Sequence, residues 1–487
     1  MYGREKKKQS LVNSFAYNLI RTLCGVLFPI ITFSYSSRVL GVEGLGQVNF
    51  SKSIISYFSM IAMLGINQYG TREAAKVRDN REKLSKLAQE ILCINSGTTI
   101  IAYTLLFFVV RSNLNLQGYS ALLWINSISI FLSGVGMEWL YQALEEFKYI
   151  ALRAVAFQLI ALILMFIFVR ERNDVAAFAF ISVIASSGSL MINFFNARKY
   201  IDFNKINGLD IKQHFAPMLW LFAMAVSIEL YTVLDTTMLG FIKGDRAVGL
   251  YTAAIKINRI VNSVITALGV VMIPRLSYYI AQKDDTAMKK LICKGYNYMF
   301  MMAVPAAIGL YVLSDDIICF FSGDDYSSAG LTMRIMTIIV FFIPFSVMTN
   351  NQILVPMGKE KLILLSTLVG AISNIVSNAI LIPAYAENGA AIGTVIAEGM
   401  VALICFCYAK HYFDTKEIFK CISHYVIAAL PIIGIGYIMY NVDLNIVLRM
   451  GISIVSSFIA YCLILQIFGN YYYLEAIKIL KHRIPHN

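Results

Sequence analysis

The sequence predicts an all-α polytopic membrane protein of about fourteen transmembrane helices, and three observations predict it. Apolar stretches long enough to cross a bilayer, which takes about 20 helical residues, follow one another almost from end to end of the 487-residue chain. The composition is 58% hydrophobic and 14% charged, outside the usual balance of a soluble domain. Lys and Arg gather in alternate connections, as they do where a chain threads a membrane repeatedly.

In chain order the stretches lie at roughly 12–36, 45–68, 87–110, 119–140, 150–170, 175–197, 214–240, 247–272, 292–313, 328–350, 361–382, 388–409, 422–440 and 446–468. Backbone polar groups in hydrocarbon must pair within their own segment, and these segments are too long and uniformly apolar for barrel strands, so they are read as helices. The first follows the basic run Arg4 to Lys8 but is longer than a signal peptide's apolar region, contains Arg21 and Pro29 and lacks an A-x-A cleavage pattern. It is expected to be a retained span. Pro29, Pro305, Pro344 and Pro431 fall inside predicted spans, where a missing donor usually kinks a helix.

By the positive-inside rule, roughly 29 basic residues on one side against 7 on the other place the even-numbered connections and both termini in the cytoplasm. The basic side carries Arg72, Arg78, Lys205 and Lys289, whereas the connection between stretches nine and ten is acidic, with Asp315, Asp316, Asp324 and Asp325. The net charge of +12 is therefore topological, dispersed over many loops, and argues against nucleic acid as a partner. The expected partners are membrane lipids. Eight cysteines form no C-x-x-C pair, five histidines form no H-E-x-x-H, and no G-x-x-x-x-G-K-[ST] loop occurs. The chain thus lacks the machinery of a metal hydrolase or an ATPase, and no cofactor or metal is expected.

The chain also repeats itself. Tyr141 to Ala185 lies without a gap over Leu354 to Glu398, at an offset of roughly 213 residues, with Lys148 on Lys361 and Asp174 on Glu387. A weaker echo sets Leu40-Gly41 over Leu239-Gly240. Six stretches matching six implies two parallel six-helix bundles plus two extra C-terminal helices. The expected division is 1–213, 214–421 and 422–487, the last including a cytoplasmic tail.

Four segments carry a resemblance: SSRVLGVEGLGQVNFSKS (Ser36 to Ser53), GMEWLYQALEEFKYIALR (Gly136 to Arg153), GLYTAAIKINRIV (Gly249 to Val261) and NGAAIGTVIAE (Asn388 to Glu398). With the fourteen-span layout, they resemble the polysaccharide-transporter branch of the multidrug/oligosaccharidyl-lipid/polysaccharide exporters, which contains O-antigen and capsule repeat-unit flippases. The resemblance covers essentially the whole chain. It implies a V-shaped pair of six-helix bundles in a bacterial or archaeal cytoplasmic membrane. The activity it implies is transfer of a polyprenyl-pyrophosphate-linked oligosaccharide to the outer leaflet by alternating access, alongside polysaccharide polymerase or assembly machinery. The protein is not expected to be an enzyme.

Charges within spans are the candidate site residues, because a buried cation costs several kcal/mol unless it snorkels, pairs or faces water. Arg21, Lys52, Lys256, Arg259 and Arg334 are candidates for the pyrophosphate and glycan cavity, Lys256 and Arg259 being a turn apart on one helix face. Arg153, a few residues into its span, is expected to snorkel inward. Glu229, Asp235 and Glu398 are candidates for coupling to a proton or sodium gradient, Glu229 lying near the expected depth of Lys256 or Arg259. Other readings stay open: a MATE-like ion-coupled drug antiporter, a lipid II flippase, or a membrane polysaccharide polymerase or ligase.

Overall fold

The computed structural model describes residues 11–204, 208–270 and 272–483; the side chains of 11–24, 26, 27, 268, 270 and 479–483, Arg21 among them, lie outside the described set. Among the described residues every regular element is helical. The chain forms two compact units, Met1–Phe241 and Ile242–Asn487.

The first unit opens with α1 (Leu11–Met63), which joins the first two apolar stretches across a break at Gly41, φ 70°. After the reversal at Leu64 and Gly65 come the amphipathic α2 (Ile66–Val77) and α3 (Arg81–Ser112), the latter started by the Asn80 side chain accepting from the Lys83 backbone N–H. The turn α4 (Leu114–Gln117) leads to α5 (Ser120–Val135), the short α6 (Glu138–Ala143) and α7 (Phe147–Phe168). Helices α8 (Val175–Val183) and α9 (Ser189–Ala197) are joined through a wide turn at Ile184–Gly188, and α10 (Lys212–Lys243) closes the unit. α1 packs against α3, α5 and α7. Trp139, Tyr141 and Tyr69 anchor an apolar core beneath them, with Leu84, Leu87 and Ile91 of α3.

The second unit comprises α11 (Asp245–Val270), α12 (Ile273–Ala281), α13 (Asp285–Val312, capped by Asp284), α14 (Ser314–Ser322), α15 (Ala329–Met336), α16 (Ile339–Val347), α17 (Glu360–Ala409), α18 (Thr415–Tyr440, capped by Asp414), α19 (Ile446–Ile467) and α20 (Tyr471–Arg483). α13 packs on α18, and α18 on α19. α17 joins two apolar stretches across a break at Ala386, φ 48°. The repeat is visible here: at the sequence offset, Ala386 falls on Asn173, within the turn that separates α7 from α8, where the Asp174 carboxylate accepts from the backbone N–H groups of Arg170 and Glu171.

Two sequence expectations change. The apolar stretches are mainly helical over their described residues, and among those residues seven helices are long and apolar enough to cross a membrane, or nine if each bent pair is one span. The bends are 77° between α13 and α14 and 43° between α15 and α16. The shortfall has causes: α5 is only 16 residues long, and the second half of α1 and the middle of α11 carry polar residues such as Asn49, Lys52, Lys256 and Asn258. The chain is a multi-pass membrane protein. Second, the units divide after Phe241 rather than after residue 213, because α10 is fastened to the first unit along its length. His214 bonds to α2 and α3, Gly65 sits where a Cβ would lie 2.9 Å from Leu221 Cβ, and Thr237 bonds to Ser53. α18 and α19 belong to the second unit. Pro29, Pro305, Pro344 and Pro431 lie inside helices, and interruptions of helix lie at Gly41, Leu313, Thr337 and Ala386.

Candidate functional site

The first unit contains a cavity of about 540 Å³, within the range of small-ligand sites. Its walls come from the second half of α1 (Lys52, Ser56, Ser59), α2 (Asn67, Gln68), α5 (Asn126, Ser129, Ser133), the α8–α9 junction (Ser182, Ser186, Ser187) and α10 (Leu221, Ala225, Glu229). A serine in a membrane helix can hand its proton to a carbonyl one turn back, and several here do so: Ser56 to Ser53 O at 2.8 Å, Ser129 to Asn126 O at 2.6 Å, and Ser186 to Ser182 O at 3.0 Å. Their lone pairs remain as acceptors. Asn126 adds another: its amide donates to Ser51 Oγ at 3.0 Å and Leu122 O at 2.9 Å, while Oδ1 has no hydrogen-bond partner among the described residues although Asn126 is only 2% exposed.

Lys52 is half-buried in this wall, its ammonium 5.7 Å from the centre of the Phe178 ring. Among the described residues it makes no ion pair. Glu229, also half-buried, lines the same cavity and likewise has no ion-pair partner among the described residues. Together these groups form an enclosure rich in acceptors, with one cation and one carboxylate. Such a lining suits a ligand that carries many O–H donors and an anionic group.

Lys256, Arg259, Arg334, Asp235 and Glu398 do not line this cavity. Arg21 is in α1 with its side chain outside the described set. Lys256 and Arg259 lie on α11 of the second unit, half-buried and exposed respectively. Asp235 is buried on α10, two residues before the Thr237 hydroxyl that joins Ser53 and Tyr57 at 3.0 and 3.1 Å. Glu398 is buried on α17. Arg334 is ion-paired with Asp315 of the acidic connection, so its charge is already answered within the protein. Arg153 does not snorkel. It is 8% exposed, donates to Ser189 O at 3.0 Å and lies 3.6 Å from Glu138.

Two polar clusters escaped the sequence. Arg449 of α19 makes a two-pronged pair with Asp316. At the base of α10, His214 Nε2 lies 2.9 Å from Glu90 and Nδ1 lies 2.6 Å from the Tyr69 hydroxyl, all three residues being buried. Glu90 also accepts from the Asp210 backbone N–H at 2.8 Å. Among the described residues no group of His, Cys, Asp and Glu is placed to hold a metal ion.

The model of the polysaccharide biosynthesis protein family matches residues 11–280, and that of the MatE family matches residues 221–380. The chain is 26% identical over 384 residues, 77% of its length and 94% of the relative's, to the protein named "Putative O-antigen transporter" in Shigella dysenteriae. It is 22% identical, over 83% of its length and 98% of the relative's, to the Escherichia coli K12 protein of the same name. Among solved structures it is similar to the lipid II flippase MurJ in an inward closed conformation, with TM-score 0.76 and 16% identity over 93% of this chain and 98% of that one. An inward-facing MATE family transporter matches with TM-score 0.59 and 12% identity, over 84% and 99%. At these identities the structural likeness shows the fold alone.

Proposed function

The chain belongs to the polysaccharide biosynthesis protein family, and from that premise we propose that it is a flippase. Its cargo is a polyprenyl-pyrophosphate-linked oligosaccharide repeat unit, carried across the cytoplasmic membrane by alternating access during surface polysaccharide assembly. The observation that carries the reading is the hydroxyl- and amide-lined cavity of the first unit. Helices that face only lipid have no use for seven serines, a lysine with no ion pair among the described residues and a buried carbonyl acceptor on one shared wall. A saccharide supplies the O–H donors that these acceptors need, and the pyrophosphate supplies an anion for Lys52. The O-antigen transporter names of the relatives support the cargo class.

In this reading Arg21, Lys256 and Arg259 are further pyrophosphate contacts, and Glu229, Asp235 and Glu398 carry the coupling cation, a proton or sodium. Arg334 drops to a structural role because Asp315 holds it. Both termini face the cytoplasm, and a polymerase or assembly complex takes the product outside. Transport contains no bond-breaking step, so no catalytic residue is assigned. The test is a deletion strain: lipid-linked glycan should accumulate on the cytoplasmic leaflet while surface polysaccharide is lost, both restored by the wild-type gene. Unchanged surface polysaccharide, together with sensitivity to cationic drugs, would overturn the reading in favour of an antiporter.

A further inference from the structure

Helix α20 of the second unit lies against two apolar cavities that the flippase reading does not use. One, of about 700 Å³, is walled by Met272, Met299 and Met348 together with Arg275 and Lys294. The other, of about 620 Å³, is lined almost wholly by apolar side chains, chiefly of α13 and α19. Met301, Met302 and Ala476 belong to both walls, so α20 contributes to the partition between them. Its Tyr473 and Ile477 also face the second cavity.

What fastens α20 is polar. Glu475 is ion-paired with Lys294 of α13 and accepts from the Tyr298 hydroxyl at 3.0 Å. Tyr472 donates to Glu417 of α18 at 2.6 Å. Burial pushes the Glu475 carboxyl up, but the Lys294 ammonium and Tyr298 hydroxyl more than offset it and leave it below its ordinary value. The pair is not sealed: the Lys294 and Glu475 side chains are 28% and 23% exposed, within reach of a competing anion. Arg275, in the same cavity wall as Lys294, makes no ion pair among the described residues.

We propose that α20 is a strap held closed by the Lys294–Glu475 pair and released when a lipid whose phosphate headgroup carries a net negative charge, unlike a zwitterionic one, enters this cavity, its phosphate taking Lys294 and Arg275 and its chains filling the methionine-lined space. The chemistry of the wall selects this ligand class. A free phosphate would gain the cations and nothing from the apolar volume, and a neutral alkane would gain the reverse. An anionic lipid phosphate can engage Lys294 and Arg275 together, whereas the Glu475 carboxylate is paired with Lys294. Release follows only because the lipid binds the cations in the freed form and not in the strapped one. The inference goes beyond the flippase reading and does not depend on it.

The test uses the full chain with its cysteines replaced, a nitroxide at Lys478→Cys on the exposed side of α20, and nanodiscs of defined lipid. In phosphatidylcholine the label should be immobile. Adding phosphatidylglycerol or polyprenyl phosphate should raise a mobile component from about a tenth to about half, a roughly tenfold preference of the lipid for the released form. A response to phosphatidylglycerol identifies bulk anionic lipid as the ligand, and a response to polyprenyl phosphate alone identifies the glycan carrier; either supports the strap. Lys294→Gln should be mobile without added lipid, and the charge swap Lys294→Glu with Glu475→Lys should be immobile again in phosphatidylcholine. A label that ignores both lipids, or that stays immobile in Lys294→Gln, overturns the proposal. Because the readout is docking of α20 and not transport, that failure would leave the flippase reading standing.

Discussion

Replacing Lys52 by Met should stabilise the protein while it disables transport, and the structure sets the size of both effects. A lysine at the centre of a spanning helix is unfavourable by about 2.5–3.5 kcal/mol on insertion scales. Lys52 is half-buried on a cavity wall with no ion pair among the described residues, only the Phe178 ring nearby. Water in the cavity relieves part of that cost, so about 1–2 kcal/mol is recovered on substitution, with methionine filling the volume of the aliphatic stem. For a unit of this size 1 kcal/mol moves the melting temperature by about 2–4 °C, so Lys52→Met should melt roughly 2–8 °C higher in detergent or nanodiscs. Loss of a charge-assisted contact to the cargo should lower flipping at least about tenfold in vesicles loaded with lipid-linked oligosaccharide. Lys52→Arg keeps the charge and should retain a measurable fraction of activity. A variant that melts lower and transports normally would show that Lys52 has a structural partner and no part in binding, and the cavity would lose its cation.

Three other outcomes follow from named contacts. His214→Ala should cost about 3–5 kcal/mol, because it strands a buried Glu90 carboxylate and the Tyr69 hydroxyl; a melting curve within a degree of wild type would refute the pairing. Arg449→Ala should destabilise more than Arg334→Ala, about 2 kcal/mol against less than about 1, since the Arg449–Asp316 side chains are 20% and 12% exposed and the Arg334–Asp315 side chains 36% and 48%; the reverse order in thermal melts would contradict this ranking. Single cysteines near Arg78 and Asp324 should label from opposite faces of intact cells, and labelling from one face would break the topology read from the basic loops.

The spans were legible because hydrophobicity over 20 residues is a property of composition, and the duplication because it preserves loop lengths. The cavity was not. Ser56, Ser129 and Ser186 stand on three different segments, and each satisfies its own proton on its own helix, so nothing in a linear window distinguishes them from serines that face lipid. Lys52 is visible as a charge inside a span, yet depth alone sets Glu229 beside Lys256 or Arg259 of the following span, and the structure places it in the wall with Lys52. The triad at the base of α10 joins positions 69, 90 and 214, a convergence that only packing creates. Arg334 stands out in the sequence as a cation within a span and Arg153 as one expected to snorkel, because pattern alone does not set Asp315 beside the first or Glu138 beside the second.

The same comparison explains why a duplicated fold need not have two equivalent sites. Carried on past the matched segment, the offset sets Ser182 on Val395, Ser186 on Gly399 and Ser187 on Met400. Ser182, Ser186 and Ser187 stand at the wide turn of the α8–α9 junction and line the polar cavity. The corresponding stretch of α17 is continuous helix, and Gly399, Ala402 and Leu403 line a cavity of about 310 Å³ walled chiefly by phenylalanine rings, Phe342, Phe345 and Phe406 among them. One helix position thus presents a hydroxyl to the polar cavity in the first unit and a bare backbone to a phenylalanine ring in the second. Duplication conserved the breaks at Asn173–Asp174 and Ala386, which set where helices turn, while the residues one face presents diverged in polarity. An amphiphilic cargo is what such divergence suits, since a protein with two polar cavities would offer its lipid no place and one with two apolar cavities would leave its glycan without hydrogen bonds.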